Sequence, residues 1–215
     1  MILPCFDPAT WGPSLDTAVG AVARGAVVVL PTDTVYGVGA DAFQPDAVAA
    51  VLAAKGRGRQ MPPPVLIPSV RTVDGLARDV PDSARALMEA FWPGALTVIV
   101  LAQPSLAWDL GETHGTVALR VPAHPAALAL LERTGPLAVT SANLTGEPAA
   151  TTADSAKEQL GESVAVYLDG GDSPLGVAST IVDATGATLR IVRDGGVSRE
   201  EIVAVVGEAA LEAAG

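Results

Sequence analysis

The sequence predicts one α/β domain built on a twisted, mixed open sheet with flanking helices, and three observations predict it. Short apolar runs that suit buried strands are interleaved with longer helical stretches, without the strict strand–helix beat of an all-parallel sheet. The 215 residues are 49% hydrophobic, enough to bury one large core. No repeat, low-complexity tract or interdomain linker divides the chain. The expected organisation is an N-terminal segment over 1–13, one domain over 14–206 and a tail over 207–215.

In chain order, residues 14–24 after Pro13 read as a helix, and 26–30 (Ala-Val-Val-Val-Leu) as a strand that Pro31 ends. Residues 45–55 read as a helix with Pro45 in its first turn. The stretch 56–64 carries three successive prolines at 62–64 and must be an irregular loop. A strand over 65–68, a helix over 81–91, a Trp-Pro-Gly turn at 92–94 and a strand over 95–101 follow. Residues 116–121 alternate like a strand, 125–133 are helical, and a strand over 137–140 runs into Ser141-Ala142-Asn143. Strands over 164–168, 179–183 and 189–193 and a helix over 198–206 complete the pattern.

Composition removes several function classes. A net charge of −11 argues against a surface that coats nucleic acid. Cys5 is the lone cysteine, so neither an intrachain disulfide nor a cysteine metal cluster is possible. His114 and His124 form no HExxH-like pair, so no protein-built metal site is expected. Mean hydropathy is high, at +0.40, yet no apolar run approaches the roughly 18–20 residues of a membrane helix. Residues 1–13 carry Asp7 and no Lys or Arg, unlike the basic start of a secretory signal. A cytoplasmic location without membrane association is expected.

The polar residues that look costly lie at strand ends and in loops. Residues 31–37 (Pro-Thr-Asp-Thr-Val-Tyr-Gly) are either a turn capped by Thr and Asp or part of a site. Residues 37–42 (Gly-Val-Gly-Ala-Asp-Ala) imitate a dinucleotide fingerprint, but Pro31 and five more residues separate them from their strand. No acidic residue stands about twenty positions on. Arg57 and Arg59 stand there instead, which suits NADP at most. The absence of GxxxxGK[ST] excludes a Walker-type ATP site.

Lys55-Gly56-Arg57-Gly58-Arg59 is either a solvated basic helix end or a knot whose glycines let several charges face one anion. Arg120 is a candidate carboxylate clamp, and Thr140-Ser141-Ala142-Asn143 offers hydroxyls and an amide, although Asn143 alternatively caps a turn. Of Arg190 and Arg193 on a late strand, one can face a cavity while the other meets solvent. Together these describe a pocket of hydroxyls, amides and four or five cations with no obvious base, nucleophile or metal cage. Such a pocket stabilises negative charge and aligns reactants rather than forming a covalent intermediate.

In order, PTDTVYGVGADA, KGRGRQMPPP, WPGALTVIV, TVALRVPAHP, TSANLTGEP and STIVDAT…RIVRDG resemble the YrdC/Sua5 family of threonylcarbamoyl-AMP synthases across residues 14–200. The resemblance implies an α/β fold around a deep, positively charged cavity. It implies a nucleotidyltransferase that joins L-threonine, bicarbonate and ATP, with Mg²⁺ carried by the ATP, into L-threonylcarbamoyl-AMP and pyrophosphate. The product would pass to a tRNA threonylcarbamoyl transferase complex. Carried over by motif, Lys55, Arg57, Ser141 and Asn143 form the catalytic set. Thr34, Arg120 and Ser179 are expected on threonine, and Arg57, Thr116, Ser141 and Arg193 along the nucleotide.

Two positions depart from the family pattern: Met61 stands where an asparagine is usual, and Ala149 where a serine often lies near the nucleotide. Arg59 or Gln60 are candidates to compensate. The resemblance is to the short form, without the additional C-terminal domain of longer members. Rival readings are a non-catalytic module for double-stranded RNA or tRNA, a carbamoyl-transfer domain like that of hydrogenase maturation proteins, and an NADP-binding domain.

Overall fold

The computed structural model describes residues 1–212, so positions 213–215 of the expected tail lie outside the described residues. The strands are β1 (Ile2–Pro4), β2 (Val28–Leu30), β3 (Gly37–Asp41), β4 (Val65–Leu66), β5 (Ala77–Arg78) and β6 (Leu96–Ala102). They continue with β7 (Thr116–Arg120), β8 (Leu137–Ser141), β9 (Val166–Asp169), β10 (Thr180–Asp183) and β11 (Arg190–Arg193). Helices are α1 (Gly12–Ala23), α2 (Pro45–Ala54), α3 (Val73–Leu76), α4 (Asp82–Phe91), α5 (Pro125–Thr134), α6 (Ala153–Leu160) and α7 (Arg199–Val206).

All these strands join one sheet in the order β1-β9-β2-β3-β8-β4-β7-β6-β10-β11, with β5 beside the end of β6. Pairs β1–β9, β2–β9, β4–β7 and β6–β10 are parallel and the rest antiparallel, which makes the sheet mixed as expected.

Strand alternation decides what each face buries. On β2, Val28 and Leu30 pack in one cluster with α1 and α5, while Val29 packs in another with residues of α2 and α6. On β6 and β7, Val98, Val100, Val117 and Leu119 enter a third apolar cluster with Leu87 and Met88 of α4. The opposite face of those two strands carries Thr97, Ile99, Thr116, Ala118 and Arg120, and it lines a cavity. The site is thus the polar face of a sheet whose other face is core.

The predicted helices and strands form with small shifts of their ends, and Pro13, Pro45 and Pro125 each occupy a first helical turn, where the missing N–H costs nothing. Five elements escaped the sequence pattern, among them the four-residue helix α3, which is little more than one turn and too short to show a period. The glycines of 37–42 belong to strand β3, not to a phosphate loop: a Cβ on Gly37 or Gly39 would lie 2.6 Å from a methyl of Val139 on β8. They are glycines because a neighbouring strand presses on them. Helix α6 buries only Ala153, Ala156 and Leu160, a faint stripe, and its clearest signal is the Thr152 cap on Ser155 N. Strand β1, inside the 1–13 segment, and strand β5 are too short to show a period.

Candidate active site

The cavity, about 270 Å³, opens over the central strands. Its walls come from the loop after β2, the proline loop before β4, residues along β6, β7, β8 and β10, and the end of β11. Of the residues singled out from the sequence, Thr34, Arg57, Thr116, Arg120, Ser141, Ser179 and Arg193 all line it. Lys55 and Asn143 stand behind the wall.

At one end Arg120 is 6% exposed and tightly held. Its Nε donates to Gly94 O at 2.9 Å, Nη1 to Thr34 Oγ1 at 2.8 Å and Nη2 to Asp33 Oδ1 at 2.6 Å. The same Asp33 oxygen accepts the Ala123 N–H at 2.8 Å. Desolvation works against the Arg120 charge and Asp33 supports it. Three of the five guanidinium N–H groups are spent, leaving two for a ligand.

The other end is differently made. Arg57 Nη1 donates to Thr140 Oγ1 at 2.9 Å, while its buried Nε has no partner among the described residues. Arg193 reaches from the exposed rim to Ser179, donating to its carbonyl at 2.7 and 3.1 Å and to its hydroxyl at 3.2 Å. Neither arginine meets a carboxylate among the described residues. Desolvation lowers both pKa values, and the Arg193 charge lowers Arg57 further. Thr116 donates to Thr113 O at 2.8 Å, which leaves its hydroxyl oxygen as an acceptor beside them.

Lys55 is 3% exposed, and its ammonium donates to Ser141 O, Asn143 O and Asn143 Oδ1 at 2.5, 2.6 and 3.2 Å. Asn143 Nδ2 donates to Leu144 O and Glu147 O, both at 2.8 Å. These two residues therefore brace the strand end that presents Ser141. Burial, then the neighbouring Arg57, pulls the Lys55 pKa down to about 8.

The basic knot does not act as a unit. Arg59, a candidate to replace a missing nucleotide contact, turns away from the cavity and pairs with Asp109 at 2.8 Å, with both side chains about half exposed. Its backbone carbonyl accepts Glu112 N, which ties loop 56–64 to the segment before β7. The reason is local: two glycines let successive side chains diverge as readily as converge. Met61 is 45% exposed. Of the late-strand pair, Arg193 faces the cavity while Arg190 meets Asp183 outside it.

Thr32, Asp33 and Thr140 entered the sequence reading only as members of candidate segments without a role of their own, and Thr97 was missed altogether. Thr97 had a usable signal, as the one polar residue in the apolar run Leu-Thr-Val-Ile-Val-Leu-Ala. Its hydroxyl lies 2.8 Å from that of Ser179.

Residues 20–195 match the Sua5/YciO/YrdC family profile, whose description reads "Telomere recombination". The chain belongs to this family. A Mycobacterium tuberculosis (strain H37Rv) relative, named provisionally as a threonylcarbamoyl-AMP synthase, is 56% identical over 203 residues, 94% of each chain. The threonylcarbamoyl-AMP synthase of Bacillus subtilis (strain 168) is 40% identical over 91% of this chain and 57% of its own length. The crystal structure of Pyrococcus abyssi Sua5 complexed with L-threonine superposes with a TM-score of 0.93 at 34% identity, over 99% of this chain and 62% of that one. The chain thus spans about three fifths of these last two proteins. Against the structure the mixed sheet and its helices are those of the Sua5 fold.

Proposed function

We propose that this chain makes L-threonylcarbamoyl-AMP and pyrophosphate from L-threonine, bicarbonate and ATP, a nucleotidyl transfer that supplies threonylcarbamoyl groups for tRNA modification. One observation carries the reading. Arg57 and Arg193 line one cavity without carboxylate partners among the described residues, the Arg193 charge lowers the Arg57 pKa, and Arg120 presents two free donors in the same cavity. Like charges held together this way are relieved by a polyanion, and the second end suits a carboxylate. The names of the relatives and the L-threonine complex of the Pyrococcus protein support it.

The threonine amine and bicarbonate give a carbamate with loss of water. A carbamate oxygen then attacks the α-phosphorus, the bond to the bridging oxygen breaks, and pyrophosphate leaves with the electron pair. Arg120, Thr34 and Ser179 bind threonine. Arg57, Thr116, Ser141 and Arg193 lie along the nucleotide, where the guanidinium groups offset charge gathering on the phosphates. Lys55 and Asn143 serve by holding Ser141 in place.

No carboxylate or histidine lines the cavity, and no cluster of three or more His, Cys, Asp or Glu that could hold a metal occurs among the described residues. That donor set fits Mg²⁺ carried by ATP on phosphate oxygens and water, not one caged by protein. No helix among the described residues is long and apolar enough to cross a membrane. A cytoplasmic enzyme handing its product to a tRNA threonylcarbamoyl transferase complex fits the chemistry.

Pyrophosphate release, measured with and without L-threonine and bicarbonate and with the nucleotide product identified by mass, tests the reading. Release that requires both co-substrates, with threonylcarbamoyl-AMP in the mixture, is expected. Salt-sensitive RNA binding with no ATP turnover would replace it with the RNA-module reading.

A further inference from the structure

The Thr32 hydroxyl has one hydrogen and two lone pairs. Its oxygen stands 2.6 Å from the Val35 carbonyl, which can only accept, so the hydrogen is committed there. The Thr34 N–H donates to the same hydroxyl at 3.2 Å, and Thr34 Oγ1 lies 3.0 Å away. With the Thr32 hydrogen already used, the hydroxyl–hydroxyl bond must run from Thr34 to Thr32. Thr32 then has no free donor or lone pair, although it lines the cavity.

Thr34 has spent its hydrogen on Thr32 and one lone pair on Arg120 Nη1 at 2.8 Å. One lone pair remains. Asp33, between the two threonines, holds Arg120 Nη2 and the Ala123 N–H, while its own carbonyl accepts Leu175 N at 3.1 Å. Its pair with Arg120, at 7% and 11% side-chain exposure, is the most buried ion pair among the described residues.

We propose that Thr32 and Asp33 are positioning residues for this end of the cavity: Asp33 holds the donor Arg120 in place, and Thr32 fixes Thr34 as an acceptor. The inference rests on the threonine-binding reading and deepens it. An α-amino acid then binds one way round, carboxylate on Arg120 and nitrogen on Thr34. An acceptor holds the amine through an N–H, which leaves the nitrogen lone pair free for the carbon of bicarbonate. A donor at the same place would occupy that lone pair and block carbamate formation.

Thr32→Val removes the hydroxyl at nearly equal volume and releases the Thr34 hydrogen. Calorimetry and steady-state kinetics should show L-threonine affinity and kcat each lowered by at least about tenfold, with ATP affinity little changed. Thr32→Ser should restore both. Threonine affinity and kcat close to wild type in Thr32→Val would overturn the proposal. A second measurement does not need substrate: the Arg120 Nε–H signal in ¹⁵N spectra, identified by its loss in Arg120→Lys, should be slow to exchange in the wild type and fast in Asp33→Asn. If the wild-type chain bound no L-threonine, the substrate reading would fall, and this exchange would decide the positioning claim. Unchanged protection in Asp33→Asn would overturn it, and lost protection would uphold it.

Discussion

The two ends of the cavity use the same side chain in opposite ways. Arg120 is locked by a carboxylate, a hydroxyl and a carbonyl, so its charge is balanced before any ligand arrives. Among the described residues Arg57 and Arg193 are held by neutral oxygens only, and the Arg193 charge works against that of Arg57. The first end is geometry prepared in advance, and the second is charge left uncompensated until an anion binds. Preorganisation at one end should therefore show up in stability, and frustration at the other in turnover.

Removing one member of each end breaks the comparison most directly. Asp33→Ala strands a buried guanidinium and should lower the folding free energy by about 3–5 kcal/mol, read by chemical denaturation. Arg57→Met removes a charge that lacks a carboxylate partner and leaves a side chain of similar length. Its stability without ligand should equal or exceed wild type, while pyrophosphate release falls by about 10²–10³-fold, as for loss of one oxyanion donor. If Arg57→Met destabilised as much as Asp33→Ala, the contrast between the ends would be void.

Legibility from sequence follows the same division. Local patterns located most helices and strands, since Pro positions and apolar runs act within a few residues. The motif order located the cavity-lining residues as well, Thr34, Arg57, Arg120 and Arg193 among them. What stayed hidden was decided by partners far along the chain. Asp33 matters because of Arg120, 87 residues on. Lys55 turns to a loop 86 to 88 residues away.

The strand role of the β3 glycines stayed hidden for the same reason, since their meaning lies in Val139. Gly39→Ala would set a methyl 2.6 Å from Val139 Cγ2 and 2.8 Å from Ala138 O. A loss of about 1–3 kcal/mol is expected, partly recovered by Val139→Ala. A neutral Gly39→Ala would instead make the glycine a matter of backbone freedom.

Lys55 sits between the two regimes, a cation satisfied by three carbonyl-type oxygens and depressed to about 8 by burial and Arg57. The ammonium has three donors for those three oxygens, and the neutral amine has two. Above pH 8 the brace on Ser141 should loosen, so kcat/KM for ATP should fall about tenfold by about pH 9. Stability runs the other way. The native state sheds this proton more readily than the unfolded chain, so the Lys55 contribution is fully present above pH 10.5 and is lost as pH falls through about 8. The wild-type minus Lys55→Met difference in folding free energy should therefore grow between pH 8 and 10.5. Activity that stayed flat through pH 9 would remove Lys55 from the brace.

The smallest expected effect sharpens where the uncompensated charge ends. Arg59 lies two residues beyond Arg57, yet it is paired with Asp109 at the surface rather than turned to the cavity. Exposed pairs of this kind contribute little to stability and are screened by salt. Arg59→Ala should accordingly leave the denaturation midpoint nearly unchanged and shift ATP affinity by less than about threefold. Asp109→Ala offers the discriminating partner, because it frees Arg59 without removing its charge. Tighter ATP binding in Asp109→Ala, abolished again by Arg59→Ala, would mean that the second guanidinium can swing into the cavity and that Asp109 holds it in reserve. Equal ATP affinity in both variants keeps the phosphate end to Arg57 and Arg193, with Arg59 tying two loops together.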